Sequence, residues 1–499
     1  MRNLLIIVFV IALASITSCR KDFNTVPSFG DLQFSKDTIF LDTIFSNIGS
    51  ATYNLKVYNK SNKAITIPSI QFENGISSHY RLNIDGISGK NFENIDILAN
   101  DSMYVFVETT IDFSTVSNPL YTDKILFDNG NNQQDVDLVT LVQDAVFLFP
   151  DKNPMTLKID SLTLNGEPTT IKGRFLNDAE LTFTKQKPYV IYGYMAVKNG
   201  KTATIEAGAK LYFHDNSGFI VDNGGTLKSN GTLTEKVIFE GDRLEHSFSE
   251  IPGQWGAIWL RAGSKNNELN HTQIKNGTIG VLIDSINGTN PTLTIKNSEI
   301  YNNSNYGILG RETNILGKNV VIGNAGQVSL AATVGGTYNF THSTFANYWS
   351  NSLRQLPTVL INNYFTFLNE NGQETIGVRD LHAANFTNCI IDGSNNIELL
   401  FDRAENGIFN HSVKNSLIRF NDFNNNFENN AEMDFSSTNY SGIILNGNAD
   451  FKNSAKNDFN IGQNSDAVNN ALPSSISTDI LGISRNPTPD IGAYQHIIF

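Results

Sequence analysis

The strongest constraint on how this chain can fold is a recurrence in its second half. Apolar residues that follow a short polar motif stand at Ile274, Ile300, Ile322, Phe345, Ile391 and Ile418, at steps of 26, 22, 23, 46 and 27. Three positions before them stand His271, Asn297, Asn319, His342, Asn388 and Asn415. Two before stand Thr272, Ser298, Val320, Ser343, Cys389 and Ser416, and two after the first four stand Asn276, Asn302, Asn324 and Asn347. Units this short cannot bury an apolar face alone and must stack on their neighbours. The step of 46 reads as two turns of 23, with Leu368 as the intervening rung. Asparagine suits a bend between stacked strands, because it tolerates left-handed geometry and its amide can bond the next coil's amide. Asn297, Asn319, Asn388 and Asn415 are therefore expected to form a structural ladder.

Composition narrows the fold class further. Charged residues are only 17%, while 38 glycines and some 65 asparagines favour tight bends over long amphipathic helices. An all-β chain is expected, and 499 residues suggest more than one domain. A net charge of -13, with no basic stripe to offset it, argues against a nucleic-acid partner.

The N-terminus carries an address. After Arg2, an apolar run from Leu4 to Ile16 fits a secretion signal and is too short to span a bilayer as a helix. It ends in Ile16-Thr17-Ser18-Cys19, which resembles a bacterial lipoprotein lipobox. The resemblance implies a signal peptide over residues 1–18, lipidation of Cys19 and a linker over 19–30. The mature chain would then be extracytoplasmic, held by its lipid to the outer membrane or cell surface. Five Asp-Ser/Thr-apolar triplets, such as Asp37-Thr38-Ile39 and Asp160-Ser161-Leu162, resemble the O-glycosylation sequon of Bacteroidetes. With Cys389 the only other cysteine, no internal disulfide is expected in the mature chain.

Residues 31–148 alternate in about seven short runs, among them Tyr53–Tyr58 and Tyr104–Val107, and resemble an Ig-like β-sandwich. A connector follows from Phe149 to Pro188. Ile205-Glu206-Ala207-Gly208-Ala209, Gln254-Trp255-Gly256-Ala257-Ile258 and the end from Asp479 through Arg485 to Tyr494 resemble bacterial right-handed parallel β-helix repeat proteins. That resemblance covers about 155–497 and implies a fold, not a reaction.

No phosphate-binding loop, zinc motif or paired-carboxylate motif of the polygalacturonases is present. Cys389 and the two histidines of the bend column read as packing residues. Arg354, Arg379 and Arg403 lie 25 and 24 apart, with Arg311 two coils earlier, and Glu312, Asp380, His382 and Asp402 accompany them. A stacked Arg/Asp stripe has the ingredients of a polysaccharide lyase, in which Arg or Lys abstracts a proton and cations neutralise the uronate. Exposed ion pairs along one edge are the plainer reading. Trp255 and Trp259 are expected on one face of an early coil. The function expected is that of a lipid-anchored envelope protein whose coil face binds polysaccharide or a surface partner. The alternatives are a lyase or hydrolase acting on uronate-containing glycans, and a structural adhesin or spacer. No cofactor is expected, except Ca2+ in the case of a lyase.

Overall fold

The computed structural model describes residues 24–284 and 290–499, so the signal segment and Cys19 lie outside the described residues. The chain is all-β: strands and single 3-10 turns make up its regular structure, with no α-helix among the described residues. It forms two compact units that divide between Asp144 and Ala145.

The first unit has two sheets. One is six-stranded and includes Thr38–Phe45, Ile65–Phe72, Leu120–Phe127 and Gln134–Gln143; the other is five-stranded and includes Tyr53–Tyr58, Tyr80–Ile84 and Ser102–Thr109. Alternation builds the core between them, broken within each of Thr38–Phe45 and Ile65–Phe72. Leu55, Val57, Val105 and Val107 from one sheet meet Ile39, Leu41, Ile67, Ile125 and Phe127 from the other. Eleven strands form, against the seven or so expected. Pieces such as Val26–Pro27 and Gln33–Phe34 are too short to show a period of two. The Asn and Asp clusters between strands supply left-handed turn residues, Asn47, Asp85, Asn100 and Asp128 among them.

The second unit is a 27-stranded sheet in which most strands pair in parallel with the strand two or three places further along the chain. Such pairing closes the chain into stacked coils, and is compatible with a β-helix. All six sequence anchors lie in register: Ile274 pairs with Ile300, Ile300 with Ile322, Ile322 with Phe345, Phe345 with Ile391 and Ile391 with Ile418. Their side chains are buried in one apolar core that runs from Leu148 to Tyr440. The step of 46 is a single coil, because Phe345 pairs directly with Ile391. Its extra length loops out as an antiparallel hairpin of Tyr364–Leu368 with Glu374–Val378, and Leu368 is an exposed residue of that hairpin, not a rung. The unit also starts earlier than 155. Val146–Leu148 pairs with Tyr189–Ile191, and the expected connector contains a strand, Glu167–Phe175, that pairs with Tyr194–Val197.

The bend column is left-handed throughout, with φ of 44° at His271, 47° at Asn297, 51° at Asn319, 49° at His342, 57° at Asn388 and 43° at Asn415. Asn319 Nδ2 donates to Asn297 Oδ1 at 3.0 Å, and Asn388 Nδ2 lies 3.0 Å from His342 Nε2. Beside it, hydroxyls stitch the coils: Ser298 Oγ accepts from Thr272 N and Ser416 Oγ from Cys389 N. Cys389 is a fully buried member of this column, its thiol pushed up to about 12 by burial, so it is inert as a nucleophile.

The ladder is completed by the end of the chain, which runs back along the bends. Asn415 Nδ2 donates to Asn470 O, Asn388 Nδ2 to Leu472 O and Asn319 Nδ2 to Thr478 O. Arg485, buried, donates to Asn319 Oδ1 and to the carbonyls of Gly492 and Ala493.

His342 makes this column pH-sensitive. Burial, with the charge of Arg485 as a second cause, pushes its pKa down to about 3. In the unfolded chain it titrates near 6.5, so the unfolded state binds more protons between the two values. Stability is therefore complete above about pH 6.5 and declines as pH falls towards 3, by about 2 kcal/mol at pH 5. His342→Asn, which installs the residue used elsewhere in the column, should shrink the drop in melting temperature between pH 7.5 and 5. An unchanged drop would contradict this.

Candidate functional site

One sheet of the coil stack contains Gly218–Val221, Trp255–Leu260, Gly277–Asp284, Tyr306–Ala325, Val328–Thr341, Val359–Asn362 and Leu399–Asp402. Its register aligns Trp259, Leu282, Leu309, Ala331, Leu360 and Leu400 in one row. All but Ala331 are partly exposed, so this is an apolar stripe on the outer face. Two positions further along each strand a polar row runs beside it. Arg261 is ion-paired with Asp222, Arg311 with Asp284, and Asn362 pairs in register with Asp402. Trp259 Nε1 donates to Asp284 Oδ2 at 2.7 Å and ties the two rows together.

The two tryptophans do not share a face. Trp255 is buried, stacked on Phe213 at 4.5 Å, whereas Trp259 points outward. A register shift between Ala257 and Ile258, with Gly280 as the extra residue opposite, breaks the alternation between them.

At one end the stripe opens into a cleft of about 550 Å³ lined by Lys172, Tyr194, Asp215, Trp259 and Leu282. Lys172, Asp215 and Asn216 also line a second cleft of about 1140 Å³, with Phe149, Arg174, Tyr192 and His214. Leu148 pairs with Ile191, Ile191 with Phe213 and Phe213 with Gly241, so the residues that follow, Phe149, Tyr192, His214 and Asp242, stack in successive coils. Tyr192 lies 4.9 Å from Phe149 and 4.3 Å from the His214 ring, both stacked. His214 Nδ1 lies 2.8 Å from Asp242 Oδ2. Burial raises the Asp242 carboxyl, opposed by His214, and burial followed by the Asp242 charge raises the Tyr192 phenol, which keeps its proton. Arg174 is held by Glu180 through two bonds of 2.6 and 2.7 Å.

The arginines singled out by spacing do not form one stripe. Arg354 is buried: its guanidinium grips Glu398, and Glu398 also accepts from Thr358 N, Thr358 Oγ1 and Asn395 N. Arg379 lies 3.5 Å from Glu312 and over the Phe365 ring. Arg403 pairs with Glu432 at 2.8 Å. Asp380 accepts from Ile408 N, Asp402 from the Tyr364 hydroxyl, and His382 is an exposed residue whose carbonyl accepts from Asn410. Each of these arginines has its own carboxylate partner, and no convergent reactive pair results. Only Arg311 and Asp402 fall in the polar row. Among the described residues no group of three or more His, Cys, Asp or Glu is placed to hold a metal ion, and no helix is long and apolar enough to cross a membrane. The Tyr192–His214–Asp242 column was missed in sequence although its spacings of 22 and 28 match the coil step.

No family model and no curated protein matches this chain. Two solved structures give local likenesses, each with a TM-score of 0.17. A family 123 glycoside hydrolase from Clostridium perfringens is 13% identical over 23% of this chain and 24% of its own. A PapD-like domain of human CEP192 is 11% identical over 26% of this chain and 96% of its own. This chain thus spans about a quarter of the hydrolase.

Proposed function

We propose that the second unit is a right-handed parallel β-helix, the first an Ig-like β-sandwich, and that the outer face bearing Trp259 binds polysaccharide. The observation that carries this is the row Trp259, Leu282, Leu309, Leu360 and Leu400, partly exposed on either side of the buried Ala331, bordered by charged and amide groups and ending in the cleft beside Trp259. Apolar faces of sugar rings stack on such a row while hydroxyls and carboxylates meet the polar groups beside it. The chain carrying Cys19→Ala, applied to an array of neutral and uronate-containing glycans, should be retained on at least one class of polymer. Absence of any retention would favour the spacer reading.

The same proposal puts the protein outside the cytoplasm, on the outer membrane or cell surface, anchored by acyl chains on Cys19. The signal and lipobox support it, since several buried acyl chains give essentially permanent attachment. Cys19→Ala should move the protein from the membrane pellet to the soluble fraction. A wild-type N-terminus without acyl mass would contradict the anchor.

A further inference from the structure

We propose that the cleft at Tyr192, His214 and Asp242 cleaves uronate-containing polysaccharide by base-catalysed β-elimination; this rests on the glycan-binding reading of the adjoining face. Three observations converge there. The cleft of about 1140 Å³ is roomy enough for a few sugar rings and shares Lys172, Asp215 and Asn216 with the pocket beneath Trp259, so a chain lying on the apolar row leads into it. The imidazole of His214 is fixed from two sides, by Asp242 at 2.8 Å and by the Tyr192 ring at 4.3 Å. A carboxylate at Nδ1 makes that nitrogen the protonated one and leaves the Nε2 lone pair as the base. Tyr192 stacks against that base as a phenol that retains its proton, the complementary acid.

These groups suit proton abstraction next to a carboxylate better than acyl transfer, for the serine at hand, Ser217, is buried and donates to the Asp215 carbonyl. In the step, the proton on C5 of the uronate passes to His214 Nε2. The C5–H electron pair forms the C4–C5 double bond and the C4–O bond breaks. The departing glycosidic oxygen takes the proton of the Tyr192 hydroxyl, and no oxidant, reductant or water is consumed. Lys172 lines both clefts; its ammonium donates to Ile159 O at 3.1 Å and Ser161 Oγ at 2.9 Å, and the third N–H is available to the uronate carboxylate. Asp242 acts through His214 and is a positioning residue.

The test uses the Cys19→Ala chain with pectate, alginate and a glycosaminoglycan as probes, following ultraviolet absorbance of the unsaturated product. Wild-type turnover is expected on at least one polymer. His214→Ala and Tyr192→Phe should each lower kcat about 100-fold or more, with KM changed little and a cooperative melt retained. Asp242→Asn should lower kcat with KM retained. Retention of a polyuronate without any unsaturated product overturns the cleavage site and leaves the binding face intact, as does undiminished turnover by His214→Ala. Absence of retention on every polyuronate also overturns the cleavage site, and only absence of retention on the neutral glycans as well overturns the binding face.

Discussion

Replacing Glu398 by alanine should destabilise the second unit by about 3–5 kcal/mol, among the largest effects of any single substitution in the chain. Arg354 and Glu398 have side chains 1% and 0% exposed. The carboxylate accepts two guanidinium bonds, two bonds from Thr358 and one from Asn395 N, while Arg354 also donates to the carbonyls of Leu356 and Asn347. Removing it strands a cation in the interior together with donors that lose their acceptor. Glu398→Gln keeps the acceptor but loses the charge, and should cost less. A thermal melt shifted no further than that of Glu235→Ala, which breaks the exposed pair Lys185–Glu235, would mean that the pair is solvated after all.

Phe345→Ala should cost about 3–5 kcal/mol through the cavity it leaves. The ring is fully buried, edge-on to Phe340 at 5.2 Å and to Phe386 at 5.8 Å, and its backbone pairs with Ile322 and Ile391 in the coils on either side. Lys318→Ala, at a half-buried position between anchors, should cost no more than about 0.5 kcal/mol. Because each coil leans on its neighbours, protection from hydrogen exchange should fall in both flanking coils. Equal shifts for the two variants would contradict the register.

The later coils were legible because each demands a left-handed residue at the same bend. Five other details were not, and each has a physical reason. Three positions before Leu211 the bend is met by Gly208, φ 78°, so the first coils carry no asparagine signal. The column Phe149, Tyr192, His214, Asp242 sits in those coils and went unread. The hairpin at residues 364–378 imitates a coil in length while pairing only with itself. Arg354 matches the coil period by spacing, but it lies in a segment between strands, where spacing no longer fixes direction, and turns inward. The outward phase reverses between Trp255 and Trp259, where Ala257 and Ile258 are both buried, at the level of the bulge at Gly280 in the paired strand. The return of the chain end across Asn319, Asn388 and Asn415 depends on partners 55 to 159 residues away, which no local pattern encodes.

The binding face is tested most directly by calorimetric titration of the best-retained oligosaccharide into the Cys19→Ala chain and into versions also carrying Trp259→Ala or Leu360→Asp. These residues occupy one row, separated by the coils of Leu282, Leu309 and Ala331. A long oligosaccharide should bind each variant at least about tenfold more weakly, near 1.4 kcal/mol, while each variant still unfolds in one cooperative transition. A fragment of two or three sugars should sense only one of the two substitutions. Undiminished affinity of the long ligand for both variants would place its binding elsewhere and contradict the assignment of this face.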